Sequence, residues 1–219
     1  MHTDPERETN DARYVVWDVE TLRLSHEVRG GWRNIRNFGL AVAVTIDDRN
    51  VQQVWQEPDA AALIEYLGKF ARVIGFNSRR FDLTVMSAYG PVDHLQEPTV
   101  DILESVSKVT GRRRGLSLQA LSKTMFGAGK SLAGGTEAVQ LWRSGRPQDR
   151  QQVIDYCTQD VLLTQRILEY GIAYGYVLAP IPDMQHGGTP VAMQVPVEWA
   201  TDPVLQPGPQ LTQRDAKDS

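Results

Sequence analysis

This sequence predicts an α/β fold on three observations: short β-branched and aromatic runs, amphipathic helical segments, and an alternation of the two after an initial meander of strands. The runs "YVVWDV" (14–19), "FGLAVAVTI" (38–46) and "VQQVW" (51–55) read as strands, the last two joined through "DDRN" as a hairpin. Pro58 suits the first turn of a helix on which Leu63, Ile64, Leu67 and Phe70 form one apolar stripe. "RVIGF" follows as a strand, and a helix is expected from Ser78 to Tyr89, ended by Gly90-Pro91. "TVDIL" adds a short strand. Residues 102–109 and 116–125 read as short helices, and Pro147 to about Tyr170 as a long one closed by Gly171. Beyond Ala179 the chain holds seven of its 12 prolines, and only "VAMQVPVEW" has strand character, suited to pairing with "YGYVLA".

A chain of 219 residues with 41% hydrophobic content supports one sizeable core. The expected division is a flexible tail over 1–12, one domain over 13–179, an extension with a strand over 180–200 and a disordered tail over 201–219. The polar start has no apolar signal-peptide core, and no later run approaches the roughly 18 apolar residues of a membrane span. A cytoplasmic protein with no membrane partner is therefore expected. A single cysteine, Cys157, leaves no intramolecular disulfide and no cysteine-based zinc cluster. His2, His26, His94 and His186 show no ligand spacing.

The net charge of −4 argues against a broad phosphate-binding surface. Its distribution argues less strongly, because Ser105 to Thr136 contains no acid while Lys108, Arg112, Arg113, Arg114, Lys123 and Lys130 are basic. Such a run is either a solvated face or a local binding surface.

Three acidic positions carry the chemistry. In a strand of period two, Asp18 and Glu20 share a face, and two close carboxylates repel unless a cation, a proton or water compensates. They are natural ligands for a hard metal, or simply solvated residues of a loop that starts after Trp17. In "GFNSRRFDLTV", Asn77 is placed to cap a helix and Asp82 falls in its first two turns, where the dipole favours an acid whatever its function. In "VIDYCTQDVLLTQRIL", Tyr156 and Asp160 are one helical turn apart on a stripe continued by Leu163 and Ile167, which carries Asp160 inward. A buried carboxylate is costly unless a cation meets it. Tyr156 would otherwise be a core tyrosine.

Together these motifs resemble the DEDD superfamily of 3′→5′ exonucleases, tyrosine subgroup. "DVET" is similar to the first exonuclease motif, "NSRRFD" to the Asn-x-x-x-Phe-Asp motif of B-family DNA polymerase proofreading domains, and "YCTQD" to the Tyr-x-x-x-Asp third motif. The histidine subgroup would have His at position 155, which here is Asp155. The resemblance implies a ribonuclease H-like fold, a central mixed sheet flanked by helices. It implies two divalent cations, Mg²⁺ or Mn²⁺, held by Asp18, Glu20, Asp82 and Asp160, with Tyr156 orienting the attacking water, for in-line phosphodiester hydrolysis. It further implies substrate contacts from Thr21, Leu22, Asn77, Phe81, Arg79 and Arg80. The partner it implies is a single-stranded nucleic acid with a 3′ end, DNA slightly favoured. Arg112, Arg113 and Arg114 are weaker candidates for phosphate contact, and Asp101 is either an extra acid near the site or, the favoured reading, a plain strand-end residue.

Three alternatives compete. "GAGKS" (127–131) is half of a P-loop, but Thr124 stands where the first glycine is required and no buried strand precedes it. Gly127 and Gly129 are better explained as a helix stop and loop. The same fold could act on RNA, since nothing in the sequence identifies 2′-hydroxyl contacts. It could also be a catalytically silent binding module, although such a module has no electrostatic reason to keep four acids together.

Overall fold

The computed structural model describes residues 12–127, 134–183 and 187–206. Strands β1 (Tyr14–Thr21), β2 (Leu40–Asp47), β3 (Gln52–Gln56), β4 (Arg72–Gly75) and β5 (Thr99–Asp101) form a five-stranded sheet in the order β3-β2-β1-β4-β5. β1, β2 and β3 pair antiparallel, whereas β1 with β4 and β4 with β5 pair parallel. The sheet is therefore mixed, as expected.

Helices α1 (Ala60–Leu67) and α2 (Asp82–Met86) lie on one side of the sheet. Their core joins Val15, Trp17 and Val19 of β1 to Leu63, Leu67, Leu83 and Met86. Helices α3 (Ile102–Thr110), α4 (Leu118–Phe126), α5 (Gly135–Arg143) and α6 (Pro147–Tyr174) belong to the other side. There Tyr14 and Val16 pack with Val106, Leu121, Trp142, Tyr156, Cys157 and Ile167. β1 is thus covered on both faces, and its alternation sorts odd residues to one core and even residues to the other. Asp18 and Glu20 are even, so they continue the face that α6 covers.

The long helix runs further than expected. Gly171 lies inside α6, which ends at Gly175 in a left-handed conformation (φ 79°). Gly171 is required for close packing: a Cβ there would collide with the Trp199 indole, whose Nε1 donates to the Leu168 carbonyl at 3.3 Å. Strands β6 (Tyr176–Asp183) and β7 (Thr189–Pro196) form a separate two-stranded sheet, the pairing expected from "YGYVLA" and "VAMQVPVEW". Residues 201–206, which composition assigns to the tail, are docked: Leu205 is buried and Asp202 pairs with Arg72 at 2.6 Å. Residues 1–11 and 207–219 of the two expected tails lie outside the described residues. So do Gly129, Lys130 and Ser131 of the "GAGKS" stretch, His2 and His186. Gly127 is the stop of α4, as expected, with its N–H donating to the Lys123 carbonyl. Among the described residues, no helix is long and apolar enough to cross a membrane.

Candidate active site

Asp18, Glu20 and Asp160 meet where β1 passes under α6. Each offers a carboxylate oxygen, and these oxygens lie within 4.8 Å of one another. Asp18 and Glu20 pair across β1–β2 with Val44 and Val42, and the register shifts between Glu20 and Thr21. That irregularity ends the regular ladder immediately after the two acids. From the opposite side, Tyr156 and Asp160 reach the same place as neighbouring turns of α6, and both are buried. Asp155 is exposed and accepts from Gln151 at 2.8 Å, so position 156 rather than 155 faces the cluster.

Asp82 joins from the far edge. β1 outruns β4, whose pairing with it ends at Val16 and Ile74, and the Val19 N–H beyond that point donates to Asp82 Oδ1 at 3.1 Å. Asp82 is almost wholly buried. Burial, helped by Asp101 and Asp160 nearby, pushes its carboxyl up to about 7 against the backbone hydrogen bonds that favour ionisation. A donor set of carboxylate oxygens alone, held close and partly dehydrated, fits a hard divalent cation and no soft metal.

These four acids and Tyr156 line an open cleft of about 370 Å³, whose apolar wall includes Leu24, Trp32, Phe38, Phe76 and Phe81. Asp18 and Asp160 also line an adjoining cavity of about 570 Å³ with Asn77, Arg113 and Ser117. Asp18 and Asp160 therefore sit at the junction of two open spaces.

Not every expected contact residue is there. Thr21 and Phe81 line the cleft, but Leu22 turns into the core beside it and Leu24 takes the lining position. Arg80 lines a further cavity with Trp32, Asn77 and Arg113. Arg79 is directed elsewhere: it donates to the carbonyls of Gln96 and Thr99 and pairs with Glu104 at 3.1 Å. Asn77 does not cap α2. It adopts a left-handed conformation (φ 65°), and its Oδ1 accepts from Arg113 at 2.5 Å. The expected helix from Ser78 shrinks to Asp82–Met86, preceded by a turn that folds Ser78 against Gly75. A Cβ on Gly75 would lie 2.5 Å from that of Ser78, so only glycine allows the turn.

Asp101 does more than end a strand. It is buried, caps α3 through the Glu104 N–H, and accepts from the N–H groups of Asn77 (2.9 Å) and Arg79 (3.1 Å). It thereby fixes the loop that delivers Phe81 and Asp82. Helix α5, unforeseen in the sequence, supplies Gly135 and Thr136 to the cleft. Its signal was the Ala138 and Trp142 pair, four residues apart and both buried.

Cys157 is a second unforeseen neighbour. Its thiol donates to the Asp18 carbonyl at 3.3 Å and approaches Asp18 Oδ2 at 3.6 Å. Burial, then the adjacent carboxylates, push the thiol well above its ordinary pKa. Iodoacetamide should accordingly modify Cys157 at least about 10³-fold more slowly in the native protein than in denaturant, read by mass spectrometry. Rapid labelling of the native protein would contradict this packing.

The model of the family RNase_H_2, of the RNase_H superfamily, matches residues 16–172. The chain belongs to the RNase_H superfamily. That membership supports nuclease activity in general and the use of divalent metal, and an acidic cluster is present among the described residues. Among solved structures, this RNase_H-superfamily chain is similar to the family B DNA polymerase from the hyperthermophilic archaeon Pyrobaculum calidifontis, with a TM-score of 0.57 at 14% identity. The match covers 74% of this chain and 24% of the polymerase, and is a likeness of fold. No curated protein matches the chain in sequence.

Proposed function

We propose that this protein is a metal-dependent 3′→5′ exonuclease that hydrolyses phosphodiester bonds from the 3′ end of single-stranded nucleic acid, DNA slightly favoured. One observation carries the reading: three carboxylates from two elements converge within 4.8 Å on an open cleft, with Tyr156 one turn from Asp160. A structural role gives no reason for that expense.

Asp18, Glu20 and Asp160, with Asp82 at the edge, would hold two divalent cations, Mg²⁺ or Mn²⁺. Such cations supply activation of the attacking water and charge stabilisation at the leaving oxygen. The chain's own residues do the rest. The apolar wall around Phe81 receives sugar and base, and the Tyr156 hydroxyl orients the incoming water. Asp101 and Arg113 hold the Asn77 loop in place. The direction rests on the resemblance of the three motifs, whose tyrosine variant fits the inward Tyr156 and outward Asp155.

The test is digestion of 5′-labelled single-stranded DNA and RNA of one sequence with Mg²⁺, Mn²⁺ or EDTA. A ladder shortening from the 3′ end that EDTA abolishes supports the proposal and ranks the two sugars. Intact substrate under every metal condition refutes it.

Two smaller effects are expected. Tyr156→Phe should slow kcat about 10-fold with little change in KM, since only a positioning hydroxyl is lost. Arg143 clamps Glu27 through two bonds (2.6 and 2.7 Å) and also donates to the Leu22 carbonyl at 2.9 Å. The clamp holds the Glu27 carboxyl down at about 2. It ties α5 to the loop that carries Leu24 and Trp32, so Arg143→Ala should raise KM several-fold. Its melting temperature should shift little, because solvent screens exposed ion pairs.

A further inference from the structure

A tryptophan left in water needs a reason, and Trp32 is 62% exposed. It belongs to none of the three motifs, sitting instead in the 3₁₀ turn Gly31–Arg33 between β1 and β2. It is nevertheless held firmly. Its ring packs edge-on against Phe38 (5.5 Å, 64°) and tilted against Phe81 (6.1 Å), and those two rings contact each other at 6.2 Å. The ends of its loop are tied by the Leu22 N–H to Gly39 carbonyl bond at 3.0 Å and by the Arg143 clamp. The result is a preorganised aromatic face open to solvent.

Two spaces share that face. Trp32 and Phe81 both line the acid cleft, and both line a neighbouring cavity of about 280 Å³ that also holds Arg80 and Arg113. Arg113 in turn lines the cavity that adjoins Asp18 and Asp160. The acid cleft thus gathers the four carboxylates and most of the aromatic rings, with Arg23 and His26 also in its lining, while Arg80 and Arg113 line the neighbouring cavities.

A nucleic-acid strand has the complementary asymmetry. Its 3′-terminal nucleotide has a single phosphate, the one to be cleaved, so its base and sugar depend on an apolar wall more than on cations. The rest of the strand has one phosphate per nucleotide and requires cations. We propose that Trp32 is the stacking platform for the base of the 3′-terminal nucleotide, with the strand leading away past Arg80 and Arg113. This rests on the exonuclease reading above and names its terminal-base subsite. Stacking of this kind tolerates all four bases, because each has a π-face.

The test uses the full chain, with Trp32→Ala and Trp32→Phe, each checked for fold by circular dichroism. The substrates are a 5′-labelled single-stranded DNA and two versions lacking one base, at the terminal or the second position. In Mn²⁺, removing the terminal base should lower wild-type kcat/KM by about 10-fold, the size expected of one stacked base. Trp32→Ala should lose about as much on the intact strand and almost nothing further on the terminally abasic one. Trp32→Phe should recover most of the loss. Removing the second base should affect wild type and Trp32→Ala equally. An unchanged terminal-base penalty in Trp32→Ala, or a Trp32-dependent penalty at the second position, overturns the assignment.

Binding of the same strands in EDTA, followed by fluorescence anisotropy, separates the two claims. If no strand is shortened by any protein, the exonuclease reading fails. The subsite assignment then stands only if wild type prefers the intact end and Trp32→Ala does not, and equal affinities overturn it.

Discussion

Asp18→Ala and Asp160→Ala should each lower metal-dependent turnover on the order of 10³-fold or more, the scale seen when a member of a catalytic unit is removed. The same variants should be no less stable than wild type. Carboxylate oxygens no more than 4.8 Å apart repel by roughly 3.5 kcal/mol or more at an effective dielectric of 20, so removing one acid relieves the metal-free protein. The Cys157 thiol and solvent compensate part of that repulsion in Asp18, and a net gain of about 1 kcal/mol, or roughly 2–4 °C, is expected. Divalent metal should reverse the order. At a concentration 100-fold above its Kd it stabilises wild type by about 2.7 kcal/mol and the variants far less. Thermal melts with EDTA and with Mn²⁺ read both signs. A variant that melts well below wild type in EDTA would mark its acid as structural, and activity surviving in Asp18→Ala would place the chemistry elsewhere.

What made the acids legible is periodicity. Strand alternation alone puts Asp18 and Glu20 on one face, which the structure shows to be that of Val16, and helical spacing alone sets Tyr156 and Asp160 on the stripe of Leu163 and Ile167. The missed features depend on contacts that local patterns do not encode. Asn77 is a good cap by type, yet the close approach of Ser78 to Gly75 turns the chain before a helix can start, and Asn77 becomes an acceptor for a residue 36 positions away. Arg79 and Arg80 are indistinguishable neighbours in sequence. The turn sends the first toward Glu104 and the second toward the cavity beside Trp32. Gly171 resembles a helix stop, but its lack of a side chain serves the docking of Trp199 instead. Asp101 looked ordinary because its three backbone donors come from two separate elements.

The Asp82 carboxyl, raised from 3.8 to about 7, makes the metal-free protein lose stability as pH rises. In that window the folded state holds a proton that the unfolded chain has already released, so unfolding becomes easier with each step upward. The protonated carboxyl's stability contribution is complete below about pH 4 and lost by the time pH passes about 7. Melts in EDTA from pH 4 to 8 should show a decline that Asp82→Asn removes, since the amide oxygen can still accept from Val19 without ionising. Metal should cancel the decline, because a cation beside Asp82 favours the form that burial disfavours. The competition between proton and cation then governs activity. Metal affinity, and kcat/KM at limiting metal, should rise with pH through about 7 in wild type and become independent of pH as metal saturates. If the EDTA melts of wild type and Asp82→Asn fall in parallel with pH, the buried carboxyl is not the group responsible. If kcat/KM keeps the same pH slope at saturating metal, the proton being lost belongs to the reaction rather than to the site that binds the cation.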